Sequence, residues 1–209
     1  MKPELEEISA ELIQMAEHDL AIRNELIRSQ ELNTGYHPKM EAIHRAHARR
    51  LGLIMSEHGY PTTDLVGREA SKAAWLVIQH AISLPQFMKH SAELLQEAVN
   101  LGRASPIDLA YLSDRIAILE GRSQLYGTQF DWDEDGLISP QSMDDVELVN
   151  ERREQLGLNT VEEQTQIMRD RAKAEGESAP IDRVSRQKEY DQWRREVGWI
   201  PTENSILEE

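Results

Sequence analysis

The stretch Ser105-Pro-Ile-Asp-Leu-Ala-Tyr-Leu-Ser-Asp-Arg-Ile-Ala-Ile-Leu-Glu-Gly121, followed by Arg-Ser-Gln-Leu-Tyr-Gly-Thr-Gln129, decides how the chain is read. Ser105 suits an N-cap, Pro106 the first helical position, and Asp108 the place of a capping-box partner. Leu109, Leu112, Ile116 and Leu119 recur at helical spacing and make one apolar stripe. Gly121 stops the helix, and a tight polar turn follows. Asp114 and Arg115 interrupt the apolar run. Neighbours in sequence diverge by about 100° on a helix, so each needs a partner elsewhere.

Upstream, the chain punctuates into further helices. From about Pro3 to about Leu32, apolar residues Leu5, Ile8, Leu12, Met15, Ile22 and Leu26 form a seam, and Asp19 takes a seam position. An unpaired aspartate there is costly, and Arg23, one turn on, is the local candidate partner. Asn33-Thr34-Gly35 reads as a turn. A second helix spans Pro38 to about Gly59, with Met40, His44, His47, Leu51 and Ile54 along one face. Glu41-Ala-Ile-His44 has the spacing of carboxylate-bridged metal bundles, but no second such motif accompanies it, and no metal or cofactor is expected.

Gly59-Tyr-Pro-Thr-Thr63 breaks the chain. A third helix, Gly67 to Ile82, is apolar on every side from Ala73 to Ile78, as a central helix would be. Gln79 and His80 follow directly, and such groups need partners if buried. Ser83-Leu-Pro-Gln86 reads as a capping-box start for a fourth helix, which stops at Gly102.

After Gly121 the period changes. Leu125 to Ser139 reads as two short strands around Asp135-Gly136. The same segment, from Asp131 through Asp133 and Asp135 to Ile138, matches the first eight positions of an EF-hand loop. Its twelfth position is Ser142 instead of glutamate, which favours an acidic turn over a calcium site. Asp144 with Glu147 marks one further helix start and Asn159-Thr160 another. Gly176 to Pro180 is linker-like, and Arg183 to Gly198 forms a polar latch helix carrying Tyr190, Trp193 and Trp199.

The expected architecture is mainly α: an up-and-down helical bundle over 1–175 with one short hairpin near 125–139, and a linker plus C-terminal helical extension over 176–209. The net charge of −15 argues against nucleic acid and anionic membranes as partners. No apolar run is long enough to cross a bilayer, and the acidic N-terminus has no signal-peptide core. With no cysteine present, thiolate chemistry and disulfides are excluded, which fits a cytoplasmic location.

Trp75-Leu-Val-Ile-Gln-His-Ala81, Ala110-Tyr-Leu-Ser-Asp-Arg115, Gln124-Leu-Tyr-Gly-Thr-Gln129 and Glu151-Arg-Arg-Glu-Gln-Leu-Gly-Leu158 together resemble an uncharacterised, mostly bacterial family, domain-of-unknown-function family 6624. The resemblance runs from about Asp19 to Leu158. The chain has Gly59-Tyr60-Pro61 where relatives tend to carry Gly-Trp-Pro, and Ile82 where an aspartate often follows Gln-His-Ala. The resemblance implies no activity. It implies that Gln79, His80, Asp114, Arg115 and Gln129 form a common set.

Two functions follow as expectations. In the first, a polar small-molecule pocket uses His80 as acid/base, Asp114 as its orienting carboxylate and Arg115 as an anion clamp, with Asp19, Arg23, Gln79, Tyr126 and Gln129 binding substrate. In the second, the polar groups are a structural network in a non-catalytic acidic module. That module meets a protein partner through an exposed apolar patch near Trp193 and Trp199.

Overall fold

The computed structural model describes residues 3–29, 31 and 36–201. The predicted Asn33-Thr34-Gly35 turn and the end of the first helix at Leu32 lie outside the described residues. The described chain is mainly α-helical, with one two-stranded antiparallel hairpin and a C-terminal helix. None of its helices is long and apolar enough to cross a membrane. It divides into two compact units, Met1–Asp108 and Leu109–Glu209.

The first unit is built on α1 (Pro3–Arg28), α2 (Pro38–His58), the single turn α3 (Thr63–Val66), α4 (Arg68–His80) and α5 (Pro85–Asn100). The seam read from the sequence is the buried face of α1: Ile8, Leu12, Met15, Asp19 and Leu26 all lie inside. It packs against α4 and α2. Leu12, Ala48, Leu51, Ala74 and Ile78 are fully enclosed there. Gly59 ends α2 at a φ of +74°, a conformation that costs a Cβ-bearing residue its ordinary sterics. The helix α5 does not use the predicted capping box. Leu84 is its N-cap residue and no side chain caps it, because Pro85 supplies the preset first-turn φ and lacks the orphan N–H.

The second unit contains most of α6 (Pro106–Leu119), the strands β1 (Phe130–Trp132) and β2 (Ile138–Pro140), then α7 (Val146–Gln155), α8 (Val161–Glu175) and α9 (Arg183–Val197). Ser105 accepts from the Asp108 N–H at 3.3 Å, the cap its sequence foretold. The hairpin pairs Phe130 with Pro140 and Trp132 with Ile138, around the predicted Asp135-Gly136 turn. Its first strand begins at Phe130 and not at Leu125, because residues 125–128 are drawn onto a carboxylate instead. Asp145, one residue after the predicted Asp144, caps α7 through the Glu147 and Leu148 amides. Asp144 pairs with Arg152 at 2.8 Å. Thr160 and Glu163 form a reciprocal capping box at the start of α8.

Arg153 is the largest fully buried side chain of the unit, 1% exposed. Its guanidinium donates to the main-chain oxygens of Tyr126, at 2.8 Å, and Asn159, and to the Asn159 side chain at 2.9 Å. It therefore ties the turn after α6 to the turn before α8. Arg153→Leu strands these acceptors in a closed interior, and urea unfolding should show a loss on the order of 3 kcal/mol. A loss below about 0.5 kcal/mol would mean that water reaches the carbonyls.

Candidate functional site

A buried carboxylate on an apolar seam must be paired or neutralised. Asp19 is 3% exposed, and its partners are not local. Its Oδ1 lies 2.7 Å from Nε2 of His44 on α2, and its Oδ2 lies 2.5 Å from Nδ1 of His80, the last residue of α4. The predicted partner Arg23 is exposed and makes no ion pair with any described residue. One carboxylate thus binds three helices of the first unit together.

Two neutral imidazoles satisfy this arrangement in one tautomer each. His44 donates from Nε2 and His80 from Nδ1, since a carboxylate only accepts. The Nδ1 of His44 is then an acceptor, and the hydroxyl of Tyr36 stands 2.6 Å from it. The same hydroxyl is 3.4 Å from the main-chain oxygen of His80. Tyr36 stacks on His44 with centroids 5.7 Å apart, and the two imidazoles lie 5.1 Å apart. Burial alone would raise the Asp19 pKa. The hydrogen bonds from His44 and His80, with the charge the two rings can carry, outweigh it and hold the carboxyl well below its ordinary value. Burial pushes the Tyr36 hydroxyl up, so it stays protonated.

The remaining nitrogen of the cluster is Nε2 of His80. No described residue bonds it, and the side chain is 26% exposed, against 8% for His44 and 4% for Asp19. Burial falls from carboxylate to outer ring, so one ring nitrogen stands at the edge of an enclosed network. Gln79, its neighbour on α4, is buried.

The other predicted residues belong to the second unit and do a different job. Asp114 is 1% exposed and accepts from the backbone N–H groups of Leu125 at 2.8 Å, Tyr126 at 3.2 Å and Thr128 at 3.0 Å, and from the Thr128 hydroxyl at 3.0 Å. Burial raises its pKa, and these donors only partly oppose that. Gly127 sits inside this loop at a φ of +60°, and a Cβ there would come within 3.0 Å of Val161. The Tyr-Gly-Thr-Gln string is thus a turn folded onto a carboxylate. Arg115 donates from Nε to Gln129 at 3.2 Å, and burial lowers its pKa. Gln129 in turn donates its main-chain N–H to the fully buried Gln124 at 2.6 Å. The orienting carboxylate of His80 is therefore Asp19, and Asp114 spends its oxygens on backbone.

Family comparison now has a geometry to attach to. A model of a family of unknown function, DUF6624, matches residues 6–175. The chain belongs to that family. No curated protein and no solved structure matches it. Both clusters lie within the matched residues.

Two open concavities of the second unit, about 450 and 290 Å³, are lined by residues between Pro140 and Arg169 and contain no predicted site residue. In the EF-hand-like segment, Asp131 pairs with Arg186 at 2.9 Å, while Asp133 accepts from the Asp135 and Leu137 amides and from Ser139. Asp133 is thus the acceptor of the hairpin turn, and Asp131 is held in an ion pair. Trp199 is 4% exposed, so the indole proposed for an exposed patch is inside the fold. Sequence reasoning missed two members of the His80 cluster. His44 was visible on the apolar face of α2, but Tyr36 precedes that helix and had no periodicity to mark it.

Two outcomes are expected. Asp114→Asn puts an amide N–H against backbone donors. It should cost about 2 kcal/mol and speed hydrogen exchange at Leu125, Tyr126 and Thr128. For Asp19 the folded pKa lies below the unfolded one. Its contribution is complete above about pH 3.9 and is lost as pH falls further. The stability gap between wild type and Asp19→Asn, measured in urea across a pH series, should be widest near neutrality and close below about pH 4.

Proposed function

We propose that the first unit carries a small-molecule site at which His80 exchanges a proton with its ligand, Asp19 holding the imidazole in one tautomer and one orientation. The observation that carries this reading is the Nε2 of His80, bonded by no described residue, at the more exposed end of a network whose carboxylate and inner ring are buried. A carboxylate bonded to Nδ1–H leaves the lone pair on Nε2 and stabilises the imidazolium that forms when a proton arrives. Such a positioned acid/base typically supplies about 10²- to 10⁴-fold in rate, which makes an enzyme the economical use of the arrangement.

The test pairs ligand binding with folding. A small-molecule library is screened by thermal shift against wild type, His80→Gln and Asp19→Asn, each checked by circular dichroism. Ligands that raise the wild-type Tm and lose that effect in both folded variants support the reading. A library giving no ligand sensitive to His80, together with a large loss of stability on His80→Ala, returns the cluster to a packing role.

A further inference from the structure

The atoms Asp19 Oδ, His44 Nε2 and His80 Nδ1 converge from three helices and lie within 4.8 Å of one another. We propose that they form a binding site for a divalent late first-row transition ion of the Zn²⁺ class, and that the ion switches the outer nitrogen of His80 from acceptor to donor. The binding half stands independently. The switching half rests on the proton-exchange reading of His80 given above.

Two imidazoles and one carboxylate are a donor set for zinc-like ions, and hard cations such as Mg²⁺ and Ca²⁺ prefer all-oxygen sites. Metal–ligand bonds of about 2.0–2.1 Å place ligand atoms about 3.3 Å apart in a tetrahedron. The two nitrogens already stand on one carboxylate, at 2.7 and 2.5 Å, and all three ligand groups lie within 4.8 Å, so the ion is admitted when the carboxylate draws back and the two rings close toward it. The carboxylate supplies negative charge in a buried setting, and three protein ligands leave a fourth position free.

The outer atoms suit the same exchange. A metal-ligating histidine characteristically donates its other ring N–H to a fixed partner. When Nε2 of His44 gives its lone pair to the ion, its proton resides on Nδ1 and is donated to the Tyr36 oxygen at 2.6 Å. The Tyr36 hydroxyl can accept there and turn its own proton toward the His80 carbonyl oxygen, 3.4 Å away. In His80 the proton moves from Nδ1 to Nε2 through solvent. Both rings remain neutral, no net proton is released, and the exposed Nε2 becomes an N–H. The ion thereby withdraws the base that the metal-free network presents.

A second histidine pair supplies the internal control. Nδ1 of His18 and Nε2 of His47 lie 3.3 Å apart on the exposed side of α1 and α2 and could chelate an ion weakly. The full-length protein, stripped with EDTA, is titrated with ZnCl₂ by calorimetry, with MgCl₂ and CaCl₂ alongside. One saturable Zn²⁺ site is expected, weakened at least about tenfold by His44→Ala and by Asp19→Asn, unchanged in His47→Ala, with no uptake of Mg²⁺ or Ca²⁺. The ¹⁵N shifts of the His80 ring should exchange their Nδ1 and Nε2 signatures on saturation. Absence of saturable binding, or binding lost in His47→Ala and retained in folded His44→Ala, overturns the site. A Zn²⁺ site that leaves the His80 tautomer unchanged overturns the switch alone. The metal-free ligand screen decides the proton-exchange reading separately.

Discussion

Asp19 is a charge on the buried seam of a helix, and no residue of its own helix neutralises it. Moving a carboxylate out of water costs several kcal/mol unless its oxygens are bonded. That cost can be met only if α2 brings His44, and α4 brings His80, to the same point on α1. An apolar seam tolerates small slides of one helix along another, because dispersion contacts are individually weak. A carboxylate bonded at both oxygens does not. The polar cluster therefore sets the register of the three helices more sharply than Leu12, Leu51 and Ile78 around it, and it fixes the angle at which the His80 ring meets solvent.

The second unit buries a carboxylate too, and the comparison separates two uses of one functional group. The partners of Asp19 are imidazoles, which can take up a full positive charge, and its pKa falls despite burial. The partners of Asp114 are amides and one hydroxyl, which offer dipoles only, and its pKa rises. Imidazole partners couple a carboxylate to proton traffic. Amide partners convert it into a template for backbone, here the turn through Gly127. Burial pushes both carboxyls up, and only the imidazole partners of Asp19 outweigh it.

Much of the fold could be read from local chemistry. The α1 seam, the α6 cap at Ser105, the helix start at Asn159-Thr160 and the Asp135-Gly136 turn depend on residues a few positions apart, and each formed where its pattern lay. Misplacements were also local. Pro85 and Asp145 took over starts assigned to Ser83 and Asp144, because a preset φ or a neighbouring carboxylate one step along does the same job. The site was less legible. Asp19 was recognised as anomalous, but its partners lie 25 and 61 residues away. Helical spacing can nominate Arg23 and cannot nominate His80. The strand expected from Leu125 failed for a related reason, since a carboxylate eleven residues upstream outcompeted strand pairing for its amides.

The strings singled out in the sequence therefore divide by what physical chemistry requires of them. Asp114, Gly127 and Thr128 are accounted for by the turn they build, because each supplies an acceptor, a left-handed φ or a donor that the loop consumes. Arg153 is accounted for by the carbonyls it binds. His80 is not consumed in this way. One of its nitrogens anchors it to Asp19 and the other lies beyond the network, where packing gains nothing from it. A ring that needed only to fill space and satisfy Asp19 could end at its first nitrogen, as the amide of an asparagine or glutamine does. An imidazole carries a second ring nitrogen, and in His80 no described residue bonds it, which is where the first unit differs from the second.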